Sequence, residues 1–430
     1  MRSSWKIMPP LENDVRILVF PNQSLLRCGM CVAFATGSRH EPADRSGFTH
    51  ALEHVMSSET KRFPSTHLLN RAFDERTRSF DPSVSRSVLC FTLIGKRSRT
   101  EQCLDILAEI ALHPRFRRSV LAAELSQIAN EDRDPDNFTN NLGFLSDELA
   151  YRGNGLGQPI NPSPDRLSGI TVIKLRQWHR QVAVGQRTVV VLTGNFDPDR
   201  LVPLVQKRFA RLPAGHPALT EPFRSTQRQM RLRLIPVPIS LIHLSISWPV
   251  CGFGDLNRYP LAILNNHLGD SDRHGSRLAD RLKAEFGLTY WARSRVYHYQ
   301  EAGTLNLQTA AEVDRLPAVL NIINQELSRL RRQLIPTADF RLAQMRLKDE
   351  ARDRNMLPGD LAEFYASQFL STGGYVTSEQ YVRAINRVTT RQVRRIARRL
   401  LSSNRMNVIL AGPVQELDER EVRRALRLAG

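Results

Sequence analysis

His50, Glu53 and His54 fall within five consecutive residues, and side chains of these types at this spacing can hydrolyse a carbonyl compound. If the segment is helical, residues four apart share a face. The two imidazoles then converge on a point that one metal ion can occupy, with the Glu53 carboxylate beside it. Neutral imidazoles lend lone pairs to the ion, the ion acidifies a water molecule, and an unligated carboxylate within reach takes the proton. A solvated helix with two surface histidines would show the same letters. A third protein donor is needed, because a hydrolytic site uses three protein ligands and leaves a position open for water.

The stretch Ser119 to Glu131 offers that donor. Leu121, Leu125 and Ile128 recur at helical spacing with no Gly or Pro between them, which predicts a helix. Glu124 and Glu131 are two turns apart on it and so project from one side. One of them can bind the ion while the other supports the histidines from outside. The order H-x-x-E-H is the reverse of the commoner H-E-x-x-H zinc-protease signature and needs the same chemistry from the same groups.

Gly37-Ser-Arg-His-Glu-Pro42, followed by Gly47-Phe-Thr-His-Ala-Leu-Glu-His-Val-Met-Ser-Ser-Glu-Thr60, resembles the active-site segment of the pitrilysin and insulinase zinc peptidases, the inverzincins. Within that family the chain resembles the mitochondrial processing peptidase-like and bacterial two-domain members. In that family a glutamate about 77 residues beyond the second histidine completes the site, with another glutamate seven positions before it. Here 131 − 54 = 77 and 131 − 124 = 7. The resemblance therefore implies one Zn2+ per chain on His50, His54 and Glu131, with Glu53 as general base and Glu124 as accessory carboxylate. It implies a zinc endopeptidase of peptides or of precursor and leader peptides.

The second half resembles the same family where an arginine and, seven positions later, a tyrosine hold the substrate carbonyl. Tyr290 matches the tyrosine, but the position seven earlier is Lys283, and Arg281 and Arg277 lie further upstream. Lysine keeps the charge and loses the planar two-pronged donor. A second departure is the missing Asn-Ala pair between Phe73 and Phe91, where Ser79-Phe-Asp-Pro-Ser-Val-Ser85 stands instead. Pro82 cannot donate to a ladder, so a shortened or edited edge strand is expected there, followed by a strand at Val88, Cys90, Thr92 and Ile94 packed on one face.

Thr188 to Leu201, with the amphipathic stretch that follows to Pro213, resembles the strand, turn and helix that end the family's first domain, and Met406 to Leu417 is a weaker version of the same unit. Each follows a helix-like stretch, Val172 to Val182 and Thr390 to Leu401. A repeat of half the chain predicts two similar domains. The expected organisation is a catalytic zinc-binding domain at 1–215, a Pro-rich linker at 216–229, and a homologous domain without metal at 230–430. The expected fold class is α+β, each domain a mixed, mostly antiparallel sheet covered by helices.

The chain has 430 residues, 41% of them hydrophobic, enough for two cores. It shows no apolar run of membrane-spanning length and no secretory leader, which leads to the expectation of a cytoplasmic enzyme without membrane partners. Five cysteines argue against a disulfide framework, and Cys28 and Cys31 read as core residues. The net charge of +18 is concentrated on helix-like segments such as Arg391 to Arg399. No nucleic-acid reader motif accompanies it, so an acidic peptide substrate or an acidic partner subunit is expected in place of specific nucleic acid. The resemblance implies a homodimer or a heterodimer with a related zinc-free subunit, as relatives of this length form. The alternatives are a catalytically weak or structural subunit of such a heterodimer, and a basic binding module without catalysis.

Overall fold

The computed structural model describes residues 6–133, 141–161, 164–269 and 276–428. The strands of the first sheet are β1 Lys6–Ile7, β2 Arg16–Pro21, β3 Arg27–Phe34, β4 Thr77–Val84, β5 Leu89–Lys96 and β6 Thr188–Gly194, in the spatial order β1-β2-β6-β3-β5-β4. Only β2 and β6 run parallel; the other neighbours are antiparallel. The central strands are Val- and Leu-rich with hardly a polar residue, and β6 is buried at every position. Such continuous apolar runs mark strands covered on both faces.

One face carries the main core. Val32, Phe34, Phe91, Leu93, Val190 and Leu192 pack there beneath the helices Phe48–Ser58, Thr100–Leu112, Val172–Val182 and Pro198–Phe209. The other face, with Leu18, Phe20, Cys31, Ala33, Cys90, Val189 and Val191, is closed by Leu361, Ala362, Tyr365, Ala366 and Phe369 of the helix Pro358–Thr372. β5 is therefore packed on both faces, in place of the single face read from Val88, Cys90, Thr92 and Ile94. Gly29 explains how close the covering helix comes: a Cβ there would lie 2.2 Å from the Pro358 carbonyl oxygen. β4 keeps its full length despite Pro82, with an irregularity between Thr77 and Ser79. As an edge strand it has a free side, and proline is tolerated on such strands.

The second sheet comprises β7 Arg231–Pro236, β8 Ile242–Cys251, β9 Ala292–His298, β10 Ala302–Ala311 and β11 Asn407–Gly412, in the order β7-β11-β8-β10-β9. Its single parallel pair is β7 with β11. Strand for strand this repeats β2-β6-β3-β5-β4, so the half-length repeat in the sequence is a repeat of topology. Its main core lies under the helices Arg258–Leu268, Leu316–Arg332 and Thr390–Leu400. Leu142–Ala150 packs on the opposite face against β8 and β11, with Leu142 on Ile409 and Ala411, and Ser146 Oγ 2.5 Å from Ser245 Oγ.

Two compact units result, and neither is one contiguous half of the chain. One unit comprises 1–131, 158–221 and 352–375; the other comprises 132–157, 222–351 and 376–430. The reason is the second apolar face of each sheet, which is covered by a helix from the other half of the sequence. Between the helix Pro198–Phe209 and β7 there is neither helix nor strand. The start of that stretch is tied down by Gly185 N–H donating to the Pro213 carbonyl at 2.7 Å and by the Arg187 guanidinium donating to the His216 carbonyl at 2.9 Å.

If Pro358–Thr372 is integral to the first sheet, Leu361→Ala should cost about 2–5 kcal/mol, as expected for a fully packed leucine. Urea denaturation should show the loss in the same transition that Leu52→Ala weakens. An unchanged midpoint for Leu361→Ala would show that the helix does not hold that face.

Candidate metal centre

The candidate ligands stand on two helices. Phe48–Ser58 follows from Gly47, whose φ of 85° is the left-handed conformation that glycine tolerates. Phe48, Ala51, Leu52, Val55 and Met56 on this helix are buried in the main core. That leaves His50, Glu53 and His54 on the other side, near the surface yet no more than partly exposed. On Arg118–Arg133, Leu121 and Ile128 enter the same core with Leu125 and Ala129 against it. Their burial fixes which face Glu124 and Glu131 present.

The two helices bring all five residues together. His50 Nε2 and His54 Nε2 lie 3.2 Å apart. Glu131 reaches both, with Oε2 3.8 Å from His50 Nε2 and Oε1 3.9 Å from His54 Nε2. Donors sharing one tetrahedral zinc at roughly 2.1 Å would be about 3.4 Å apart, so these three groups fit a common ion with small side-chain rotations. Glu53 Oε2 is 3.7 Å from His54 Nε2, and ligand atoms of His50, Glu53 and His54 all lie within 4.8 Å of one another. Glu124 stands outside this set. It accepts from His54 Nδ1 at 3.1 Å and from Ser58 Oγ at 2.5 Å, which turns the Nε2 lone pair of His54 toward the other donors.

The electrostatics separate the two histidines. Burial, with His54 adding to it, pushes His50 down to about 3, so its ring is neutral at any ordinary pH. Burial works against charge on His54 as well, but the hydrogen bond to Glu124 and the charges of Glu53, Glu131 and Glu124 outweigh it and raise its pKa. Burial alone would raise Glu124; its bonds from His54 and Ser58 dominate and lower it. Glu53 is pushed up to about 7 by burial, with Glu131, Glu124 and Asp81 of β4 adding to the rise and His54 opposing it. A carboxylate poised near neutrality is suited to taking and returning a proton.

The insulinase peptidase profile (family M16) matches residues 18–161, and the profile of the M16 inactive domain matches 169–347. The chain belongs to the insulinase (M16) family. Among its relatives, a Bacillus subtilis protein named as an uncharacterised zinc protease is 24% identical over 399 residues, covering 91% of this chain and 95% of that one. A probable mitochondrial-processing peptidase subunit beta of Arabidopsis thaliana is 22% identical, covering 95% of this chain and 78% of that one. In fold, the crystal structure of a protease from Helicobacter pylori superposes with a TM-score of 0.86 at 16% identity, over 96% of this chain and all of the other.

In this M16 chain the three candidates of the second half lie in the other compact unit. Arg281 is occupied: its guanidinium is 3.5 Å from Glu326 and 3.4 Å from Glu285, and it covers the Phe286 ring at 5.0 Å. Arg277 grips the same buried Glu326 with two bonds of 2.8 and 3.1 Å. Lys283 is exposed on the π-helical turn Asp280–Glu285 and, among the described residues, forms no ion pair. Tyr290 is 74% exposed just before β9, neither in the strand nor half-buried. At the offsets His50, Glu53 and His54 have from the start of their helix, the helix Arg258–Leu268 carries Pro260, Ile263 and Leu264, all buried, so this helix lacks counterparts of the three.

Sequence reasoning missed Ser58, Asp81, and Glu41, whose carboxylate accepts from the Gly47 and Thr49 N–H groups. Ser58 had a signal, since it stands one turn beyond His54. The others approach only through folding. The Glu53 shift sets a sign. A carboxyl whose folded pKa exceeds its unfolded value holds more protons folded than unfolded, so stability falls as pH rises from about 4.5 to about 7. In metal-free protein, Glu53→Gln should gain on the order of 1–3 kcal/mol over the native chain at about pH 8, and little at about pH 4. Urea melts at the two pH values check this; an equal difference at both would refute a buried, proton-holding Glu53.

Proposed function

We propose that this chain is a zinc-dependent endopeptidase of peptides or of precursor and leader peptides, with one Zn2+ held by His50, His54 and Glu131. The observation that supports it most is the approach of both Glu131 oxygens to the two facing imidazole nitrogens, beside a buried Glu53 near neutral pKa. Glu131 reaches both histidines and is assigned as ligand. Glu53, whose carboxylate is also within 4.8 Å of both histidine nitrogens, is assigned as base from the family resemblance and its raised pKa. When bound, zinc supplies Lewis acidity, which polarises the scissile carbonyl and acidifies water.

Glu53 accepts the proton of the attacking water and returns it to the leaving amine, a cycle that its pKa near 7 allows at neutral pH. Glu124 holds the His54 tautomer. Tyr290, with Lys283 in preference to the paired Arg281, is assigned to the substrate carbonyl oxygen. A partner of related fold, as a second copy or a zinc-free subunit, belongs to the same proposal; one relative is named as a peptidase subunit. A cytoplasmic setting is proposed too, and no described helix is long and apolar enough to cross a membrane.

A purely structural subunit would have no use for a buried base among convergent donors. The match to the inactive-domain profile, at 169–347, contains none of the five residues concerned. The test is metal analysis with peptide-library cleavage. Glu53→Gln should keep stoichiometric zinc and lose about 10²–10⁴-fold in kcat, and Glu131→Gln should lose the metal. A native chain that binds zinc substoichiometrically and cleaves nothing would favour the structural subunit.

The net charge of +18 contrasts with the carboxylates of Glu131, Glu124 and Asp81 gathered around Glu53. With a Debye length of about 8 Å at physiological salt, the global charge acts on encounter and the four carboxylates act at contact. Acidic peptides should therefore outpace matched neutral ones in kcat/KM at low salt, and the advantage should vanish as salt rises. The same salt dependence for both peptides would remove acidic substrates from the proposal.

A further inference from the structure

The two histidines are held in different ways. His54 has a carboxylate behind it, because its Nδ1 donates to Glu124. His50 is 8% exposed, and its Nδ1 is buried with no hydrogen-bond partner. Rings that ligate metal ions are ordinarily oriented through their second nitrogen. Something else must fix His50.

The backbone around it is clamped. The helix Phe48–Ser58 begins at Gly47, which has no side chain to cap it, and its first turn carries no acidic residue. Glu41, six positions upstream and 4% exposed, takes that role from outside the helix. Gly47 N–H donates to its Oε2 at 2.7 Å and Thr49 N–H to its Oε1 at 2.6 Å. The Thr49 hydroxyl bonds the same carboxylate, and the buried Trp178 indole N–H donates to Thr49 Oγ1 at 3.2 Å. The clamp thus grips residues 47 and 49, directly before His50. It satisfies helix donors that would otherwise be orphaned in a buried site.

We propose that Glu41, with Thr49 and Trp178, is the positioning device of His50, doing through the helix backbone what Glu124 does for His54 through the ring. This rests on the reading that His50 and His54 share a metal ion. The cost of disturbing the clamp should appear in metal affinity, because a His50 ring that wanders no longer meets His54 and Glu131 at a common point.

The test is Zn2+ titration of metal-free protein, native chain against Glu41→Ala, Glu41→Gln and Thr49→Val, at a temperature where thermal melts show every variant folded. Glu41→Ala should weaken zinc binding about 10–100-fold, the range known for partners that orient ligands. Glu41→Gln keeps one acceptor oxygen and should recover part of that loss. Combining Glu41→Ala with Thr49→Val should cost little more than Glu41→Ala alone, since both break one clamp. Should Glu41→Ala prove unfolded, Thr49→Val and Glu41→Gln carry the test by themselves. Lower melting temperature with unchanged zinc affinity would overturn the proposal and leave Glu41 a structural cap. If the native chain and His50→Ala bind zinc equally, the metal reading itself fails, a result distinct from failure of the clamp.

Discussion

Two imidazoles and a carboxylate are taken out of water on one side of a short helix whose other side is locked into an apolar core. The rest of the structure depends on that constraint. Burial keeps His50 neutral and pushes Glu53 toward neutrality, the states that ligation and proton transfer require. Dehydrated polar groups are costly unless partners meet them. Here the partners come from elsewhere in the fold: Glu124 and Ser58 for His54, and Glu41, Thr49 and Trp178 for the turn that carries His50.

The helix can bear this strain on its solvation only if it cannot rotate. Phe48, Leu52, Val55 and Met56 prevent rotation by entering the core above β3 and β5. That sheet has a second apolar face, and Pro358–Thr372 covers it, seated on Gly29 where any side chain would collide with Pro358. The reciprocal helix, Leu142–Ala150, closes the second sheet in the same way. A distant stretch of chain thus belongs to the scaffold under His50, Glu53 and His54.

The repeat shows what the scaffold alone supplies. Both sheets have one parallel pair among antiparallel neighbours and a helix after the equivalent strand, β3 or β8. In the second, the buried Pro260, Ile263 and Leu264 stand at the positions of His50, Glu53 and His54, and Ile263 and Leu264 join the apolar core. Fold and chemistry are separable here: on this helix, three side chains stand between candidate donors and hydrophobic packing.

The sequence by itself determined what depends on short-range periodicity and chemical type. The five-residue motif, the seven-residue spacing of Glu124 and Glu131, and the strand and helix at Thr188 to Leu201 could be read because helical and strand periods are local geometry. The repeat could be read for the same reason. Tertiary structure decided what depends on distant approach: the exchange of helices between sheets, the second buried face of β5, and the survival of β4 across Pro82. It also engaged Arg281 with Glu326 and left Lys283 and Tyr290 exposed, which spacing cannot distinguish. Glu41 shows the boundary most plainly. Its identity is visible in the sequence, but the two N–H groups it clamps point at it only because the chain turns back on itself between residues 41 and 47.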